Sequence, residues 1–297
     1  MEQFKISARK YLVAGEFNKV IKYLKQYLDK DMEDIEVFEI LGDAYQGLSQ
    51  ADKAVEFYTQ ALAINPAHLA ISLKLSANTL RGRNYIEVLK KLHQLIKPKY
   101  YIEIGVCKGG SFQLADPKSI AIGIDPEPQL DLSELPKRHC VITKTSDDYF
   151  ATEHLAETLQ GKPFDLAFLD GMHLFEFALR DFIYLEKYSG ANSVICIHDL
   201  YPLTAETATR ERNTAFWSGD VWKLALCLQE YRPDLDFSLL PCPPTGLGVV
   251  RNLNANSSIL EENYNEILEK YLKMSFDVLL ENKAEKLSLV AVDYLLS

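Results

Sequence analysis

The sequence predicts an α/β protein in three parts: an all-α helical array, a mostly parallel sheet with helices on its faces, and a helical tail. Three observations support this prediction. A repeat occupies the first third of the chain, short apolar runs that end in polar residues fill the middle, and amphipathic spacing dominates the end. The predicted boundaries are 1–96, 97–252 and 253–297. The length of 297 residues allows about two domains, at roughly 150 residues each.

Composition and charge exclude several classes of protein. Hydrophobic residues make up 47% and charged residues 25% of the chain, which is typical of a soluble globular protein. The net charge of −10 argues against nucleic acid or an anionic membrane as a partner. No apolar run reaches the ~20 residues of a membrane-spanning helix, and the N-terminus lacks the apolar core of a secretory signal. Five cysteines without a Cys-x-x-Cys pair indicate free thiols, so we predict a cytoplasmic protein.

The first third of the chain repeats with a period of 34 residues. Phe4, Ala8, Tyr11, Val20, Leu24 and Leu28 are matched 34 positions later by Phe38, Gly42, Tyr45, Ala54, Tyr58 and Leu62. The second copy, which ends at Pro66, resembles the tetratricopeptide repeat, in which small residues let two helices approach closely. The resemblance implies a concave surface that binds a protein partner or a second copy of the chain. Packing of these helices as an extension of the next domain's core is the open alternative.

A glycine-rich turn follows the first strand-like run of the middle part. The run 100–104 leads directly into the segment 105–111, GVCKGGS, after which the pattern predicts a helix. A second apolar run ends in Asp125, 20 residues after Gly105, the distance at which a carboxylate can bind a ribose. The glycines do not follow G-x-G-x-x-G. An NAD-linked oxidoreductase is therefore disfavoured and is kept only as an alternative.

Two further strand-like runs end in acids and histidines. One ends in Asp170-Gly-Met-His173, and the other ends in His198-Asp199. The carboxyl ends of parallel strands meet at one edge of a sheet. We therefore expect these four side chains to share a cleft with the acids of the first two runs.

Taken together, the glycine-rich turn, the D-G-x-H ending and the H-D ending resemble class I S-adenosylmethionine-dependent methyltransferases, in a subgroup that includes small-molecule and sugar O-methyltransferases. The resemblance covers about residues 80–252. It includes the stretch 244–250, which looks like the antiparallel hairpin that closes their Rossmann-like sheet. The resemblance implies S-adenosyl-L-methionine as cofactor and SN2 transfer of its methyl group to a hydroxyl of a sugar or secondary metabolite.

The resemblance also implies roles for individual residues. Eight of them would bind the cofactor: Glu103, Gly105, Gly109, Ser111, Asp125, Ser146, Asp147 and Asp170. The catalytic residues would be Asp170, His173 and His198. A divalent cation, Mg²⁺ or another, would be held by Asp170, His198 and Asp199. Because Mg²⁺ prefers oxygen ligands, we favour His198 as a general base that takes the proton of the acceptor hydroxyl.

Both tryptophans lie between the His-Asp ending and the predicted hairpin. Trp217, Asp220 and Trp222 are predicted substrate contacts, since aromatic faces stack on sugars and a carboxylate accepts a hydroxyl hydrogen bond. The alternative is that Asp220 caps a helix that packs on the sheet. The amphipathic tail is expected to cover the repeats or to form a dimer contact. A non-catalytic interaction protein built on the repeats is the second functional alternative.

Overall fold

The computed structural model describes residues 2–28, 33–152 and 155–291. The last residues of the predicted tail, 292–297, lie outside the described residues. The chain forms two compact units. Residues 1–81 and 203–217 make the first, and residues 82–202 and 218–297 make the second. The first boundary therefore falls at residue 81 instead of the predicted 96.

Five helices form most of the first unit. They are α1 (Glu2–Val13), α2 (Phe17–Leu28), α3 (Ile35–Gly47), α4 (Ala51–Ile64) and α5 (Leu69–Thr79). Each helix contacts the next one along the chain. Asp34 begins α3 by accepting hydrogen bonds from the backbone N–H groups of Glu36 and Val37, as N-cap side chains do. A helical array is thus present where the sequence predicts one.

The repeated positions supply much of the interior of this array. Val20 and Leu24 in the first copy, and Ala54 and Tyr58 in the second, are fully buried. A Cβ atom at Gly42 would overlap the Tyr58 ring, so the absence of a side chain lets α3 and α4 approach closely. That the helices are tetratricopeptide repeats stays a prediction.

A distant segment of the chain completes the first unit. Residues 203–217 were expected in the α/β part, but Leu203 and Phe216 pack in one cluster with Tyr45, Tyr58 and other residues of the helical array. Their burial follows from tertiary packing, which has no signature in the local sequence.

A seven-stranded sheet is the centre of the second unit. The strands are β1 (Tyr100–Ile104), β2 (Ile120–Ile124), β3 (His139–Ile142), β4 (Leu166–Leu169), β5 (Val194–His198), β6 (Asp236–Leu240) and β7 (Leu247–Arg251). They lie in the order β3-β2-β1-β4-β5-β7-β6. Strands β1 to β5 pair in parallel, and β7 is antiparallel to both of its neighbours. This is the predicted Rossmann-like sheet, with a hairpin that begins earlier than the stretch 244–250.

Within the described residues, eight helices belong to the second unit. They are α6 (Tyr85–Ile96), α7 (Ser146–Thr152), α8 (Leu155–Thr158), α9 (Phe175–Glu186), α10 (Trp222–Tyr231), α11 (Ile259–Glu262), α12 (Tyr264–Leu272) and α13 (Lys283–Lys286). Helix α6 was assigned to the array, but its buried Leu89 and Leu92 share a hydrophobic cluster with the sheet residues Tyr101 and Phe168. This contact explains why the boundary between the units precedes α6.

The helix expected after the glycine-rich turn is a single 3-10 turn, Phe112–Leu114. Pro117 follows shortly afterwards, and β2 begins at Ile120. Proline lacks a backbone N–H and disfavours helical geometry in the residue before it, so a longer helix has no room to form. The prediction of a helix here was wrong for that reason.

The tail packs along the edge of the sheet. Leu289 forms a parallel bridge with Leu239 in β6, supported by hydrogen bonds from Leu239 N to Ser288 O (3.1 Å) and from Val290 N to Leu239 O (2.9 Å). This pairing covers backbone groups that an edge strand would otherwise expose. Across the described ranges, no helix combines the length and the apolar character needed to cross a membrane.

A side chain at Gly105 should strongly destabilise the second unit. Its φ is +87°, and a Cβ atom there would overlap the carbonyl oxygen of Asp170. We expect Gly105→Ala to lower the free energy of unfolding by about 2–4 kcal/mol, from strain and overpacking together. Denaturant unfolding followed by circular dichroism measures this loss.

Gly110→Ala is the matched control, because a Cβ atom at Gly110 meets nothing within 4 Å and Gly110 is not among the glycines with positive φ. It should change stability by less than about 0.5 kcal/mol. Equal effects of the two substitutions would contradict the role given to Gly105.

Candidate functional site

Four of the predicted site residues meet at the ends of β4 and β5. Asp170 follows β4, His173 lies in the turn before α9, His198 ends β5, and Asp199 follows it. His198 Nδ1 lies 3.1 Å from Asp170 Oδ1 and 3.4 Å from Asp199 Oδ2. His173 Nδ1 lies 3.2 Å from the same Asp199 oxygen. The two strand ends thus form one cluster, as their position in a parallel sheet predicts.

His198 is enclosed by aromatic and polar neighbours. Its ring centroid is 4.2 Å from that of Tyr85, the first residue of α6, and Thr245 Oγ1 lies 3.4 Å from its Nε2. Burial alone lowers the pKa of His198, but the charges of Asp170 and Asp199 and the hydrogen bonds with them raise it well above its usual 6.5. A general base must be neutral to accept a proton. These contacts therefore favour a charged ring that pairs with two carboxylates.

Asp199 has the geometry of a constrained ligand. Its φ is 61°, in the left-handed region that costs most residues about 1–2 kcal/mol. Its Oδ2 atom is buried, and two imidazole nitrogens lie near it, His173 Nδ1 at 3.2 Å and His198 Nδ1 at 3.4 Å. Carboxylate oxygens are ligands that divalent cations prefer. A buried carboxylate oxygen in this place fits a site for a cation.

The donor atoms of Asp170, His173 and Asp199 all lie within 4.8 Å of one another. Two carboxylates and one imidazole suit a divalent cation, and the nitrogen donor is more typical of Mn²⁺ or a later transition metal than of Mg²⁺. This set shares Asp170 and Asp199 with the predicted one and contains His173 instead of His198, whose role as a ligand stays a prediction. The side chain of His173 is 27% exposed, whereas that of His198 is 8% exposed beside Tyr85.

Two of the predicted substrate contacts are structural. Asp220 is 1% exposed, and its Oδ1 accepts a hydrogen bond from the backbone N–H of Phe175 (2.8 Å), so it caps α9. Its Oδ2 pairs with Lys223 Nζ (2.9 Å), and its N–H donates to His173 O (3.2 Å). The alternative prediction, that Asp220 caps a helix, is closer to the structure. The capped helix is α9, however, and not the helix that follows Asp220. Asp220 thereby fixes the backbone that carries His173.

The two tryptophans have different environments. Trp222 is 1% exposed and packs edge-on against Phe276, so no substrate can stack on it in this structure. Trp217 lies in the first unit, where its Nε1 donates to Thr209 O (2.6 Å). Its predicted role stays a prediction.

Glu103 lies beneath the glycine-rich turn. It is fully buried, and it accepts hydrogen bonds from Ser111 Oγ (2.6 Å) and Tyr101 OH (2.5 Å). Burial raises the pKa of Glu103 to about 8, and the two hydrogen bonds only partly oppose this rise. Ser111 therefore acts on the carboxyl group of Glu103 and fixes the base of the turn.

Asp125 holds the same turn from the second strand. Its Oδ2 accepts the backbone N–H groups of Val106 (2.9 Å) and Cys107 (2.7 Å), and its Oδ1 accepts that of Glu127 (2.8 Å). A carboxylate has about four acceptor positions. Three are in use, so Asp125 has room for about one further hydrogen bond while the turn keeps this conformation.

The side chains of Ser146 and Asp147 attach α7 to α9. Asp147 forms a bidentate pair with Arg180, at 2.8 and 2.6 Å, and Ser146 donates to the buried Asp181. The predicted contact between Asp147 and the cofactor therefore competes with Arg180 for the carboxylate. Sequence patterns missed Arg180, Tyr85 and Thr245, because each reaches the site from a distant part of the chain.

A family model matches the segment of the chain that contains this cluster. Residues 102–200, one third of the chain, match the model of a methyltransferase domain family. No curated protein matches the chain. The segment that holds the glycine-rich turn and the cluster after β4 and β5 is thus similar to a methyltransferase domain.

Several solved structures are similar to the chain. The O-methyltransferase TomG from Streptomyces achromogenes, in complex with SAM, has 16% identity and a TM-score of 0.44, over 62% of this chain and 90% of that one. The SAH-bound methyltransferase PaMTH1 from Podospora anserina has 19% identity and a TM-score of 0.42, over 57% and 78%. An O-methyltransferase from Bacillus cereus in complex with SAH has 16% identity and a TM-score of 0.41, over 73% and 98%.

The buried carboxyl group of Glu103 should make stability depend on pH. The unfolded chain releases this proton near pH 4.5, whereas the folded protein holds it until about pH 8. The stability it contributes is complete below pH 4.5 and is lost as the pH rises to about 8. We expect the free energy of unfolding to fall by up to about 1.4 kcal/mol per pH unit in this window. Glu103→Gln should remove that fall in guanidinium titrations.

Asp181→Asn distinguishes the contribution of Glu103 from that of Asp181, another buried acid of this unit. Burial raises the pKa of Asp181 to about 7, so its contribution has the same sign but ends earlier. The Asp181→Asn protein should keep the decline between pH 7 and 8. Parallel curves for the natural protein and Glu103→Gln would show that Glu103 is ionised throughout.

Proposed function

We propose that the second unit is an S-adenosylmethionine-dependent methyltransferase whose acceptor is a hydroxyl group of a small molecule, such as a sugar or a secondary metabolite. One observation carries the proposal. The backbone of Gly105 packs directly on that of Asp170, which joins the glycine-rich turn to the cluster of carboxylates and imidazoles. A donor held by the turn and an acceptor held by the cluster would be neighbours.

The residues around the turn suit a cofactor that carries positive charge. Gly105 and Gly109 have positive φ, and the space beside Gly110 is open, so a ligand can approach the backbone. Glu103, Asp125 and Asp170 are the acids that would face the amine, ribose and sulfonium parts of S-adenosylmethionine. When bound, the cofactor supplies a methyl group on a sulfonium sulfur. The start of α7, with Ser146 and Asp147, stays the proposed adenine contact through its backbone.

Asp170, His173 and Asp199 are the proposed ligands of a divalent cation. Such a cation would orient the acceptor and lower the pKa of its hydroxyl group. His198 lies against both carboxylates and holds them in place, so we assign it a positioning role in preference to the general base predicted earlier. Catalysis would then depend mainly on placing acceptor oxygen and methyl group in line.

Asp125→Asn tests the cofactor site. We expect it to weaken S-adenosylmethionine binding at least about tenfold, because it loses both the charge and the acceptor that holds the turn. Isothermal titration calorimetry on the full chain measures the affinity. Asp131→Asn is the matched control, an exposed acid in the same connection after β2.

The possible outcomes distinguish an error in the role of Asp125 from an error in the proposed function. If the natural protein fails to bind S-adenosylmethionine, the proposed function is wrong and the non-catalytic alternative gains support. If the natural protein binds it and Asp125→Asn binds it equally well, only the role of Asp125 is wrong.

Replacement of the cluster residues tests the cation. We expect one Mn²⁺ per chain, measured by electron paramagnetic resonance, and at least about tenfold weaker binding in Asp170→Asn and Asp199→Asn, since each removes a charged ligand. His173→Gln should weaken binding more than His198→Gln. The exposed acid Asp148, replaced by Asn, is the control. Unchanged Mn²⁺ affinity in Asp199→Asn would exclude this site.

A further inference from the structure

A second cavity in this unit lies apart from the site after β4 and β5. It has a volume of about 330 Å³ and opens between α6 and the strands β5, β6 and β7. Its apolar walls are formed by Val88, Leu92, Leu95, Ile96, Val194, Leu240, Cys242 and Val249. The volume and the apolar walls are typical of small-molecule pockets.

The cavity exists because one helix is too narrow for the face it covers. Leu166, Val194 and Val249 belong to one hydrophobic cluster on a single face of the sheet. Among the described residues, α6 is the only helix of eight or more residues in that cluster. A helix is about 10 Å across and strands are about 4.8 Å apart, so one helix covers about two strands. The part of β5, β7 and β6 beyond α6 therefore stays open.

Cationic side chains surround this apolar space. Arg83, Lys91 and Arg251 are among the residues that form the cavity, and no Asp or Glu belongs to its lining. Arg251 is paired with Asp236 (3.0 Å), whereas no ion pair within the described part of the chain engages Arg83 or Lys91. In a chain of net charge −10, this is a local positive surface next to an apolar one. Leu95, 58% exposed, adds apolar surface on α6.

We propose that this cavity binds a single-chain amphiphile with an anionic head, of the alkyl carboxylate class. The alkyl chain would lie among the buried apolar walls, where it is removed from water. The carboxylate would lie at Lys91 and Arg83, where opposite charge favours it over a neutral or cationic head. Nothing in this assignment requires the cofactor or the cation of the other site.

Both walls of the cavity reach His198. Tyr85, one turn before Val88 on α6, packs against the His198 ring with the ring centroids 4.2 Å apart. Cys242 lies three residues before Thr245, whose Oγ1 is 3.4 Å from His198 Nε2. A ligand that shifts either wall therefore changes the surroundings of His198. If the proposed methyltransferase function holds, the ligand would also change the rate of methyl transfer. The resonance of the His198 ring reports the change in its surroundings independently of that rate.

Decanoate is the probe for the binding site. We expect calorimetry on the full chain to show one decanoate bound below its micelle concentration, with decanol bound more weakly and decyltrimethylammonium not bound. Lys91→Glu should weaken decanoate at least about tenfold and leave decanol unchanged. Val88→Phe should weaken both, because it fills the cavity from a half-buried position. Lys90→Glu, the same charge change at the exposed neighbouring residue, is the matched control.

The histidine signals supply the second readout. Decanoate should shift the ring resonance of His198, identified among the 6 histidines by the His198→Gln protein, and Lys91→Glu should reduce that shift at a fixed decanoate concentration. The proposal is wrong if decanoate does not bind, if neither substitution weakens it, or if decyltrimethylammonium binds as tightly. Should Val88→Phe fail to fold, the Lys91 and Lys90 pair decides alone. If the natural protein binds decanoate but transfers no methyl group, only the proposed function is wrong.

Discussion

The close approach of Gly105 to the backbone of Asp170 is the constraint on which the rest of the site depends. It occurs where β1 and β4 lie side by side and the order of the strands reverses, the place where open α/β sheets hold ligands. The glycine-rich turn is then held from two further sides. Asp125 accepts two of its N–H groups, and Ser111 joins its far end to the buried Glu103. The turn and the cluster after β4 and β5 are therefore parts of one rigid arrangement.

Four carboxyl groups at this edge are stabilised in three different ways. Burial raises the pKa of Glu103 and so favours its neutral form, Asp125 accepts backbone N–H groups, and Asp170 and Asp199 pair with imidazole rings. Each arrangement relieves the cost of burying negative charge without a permanent cation from Lys or Arg. A ligand that brings positive charge can replace a proton or an imidazolium partner. This is the physical basis for proposing both a sulfonium cofactor and a divalent cation here.

Helix α6 connects two regions of the unit. Its first residue packs against His198, while its later turns cover the sheet and line the apolar cavity. The segment between β6 and β7 does the same from the opposite wall, through Cys242 and Thr245. Packed elements of this kind move as units, because protein interiors are close-packed. The environment of His198 therefore depends on elements that carry no cluster ligand themselves.

The sequence by itself determined which residues gather. Apolar runs that end in Asp170, His198 and Asp199 predict parallel strands, and parallel strands bring their carboxyl ends to one edge. The sequence also contained Pro117, which shortens the helix after the turn, although the prediction did not use that signal. Local periodicity and strand ends are properties of neighbouring residues, so a single chain reveals them.

Only the tertiary structure decided how these residues are used. His198 packs against Tyr85 of α6, and the more exposed His173 lies with its donor atom within 4.8 Å of those of the two aspartates. Asp220 caps a helix that begins 45 residues earlier, and Trp222 is enclosed in the core. Helix α6 belongs with the sheet rather than with the helices before it. Each outcome depends on which distant surfaces meet, and the free energy of that packing has no signature in the neighbouring sequence.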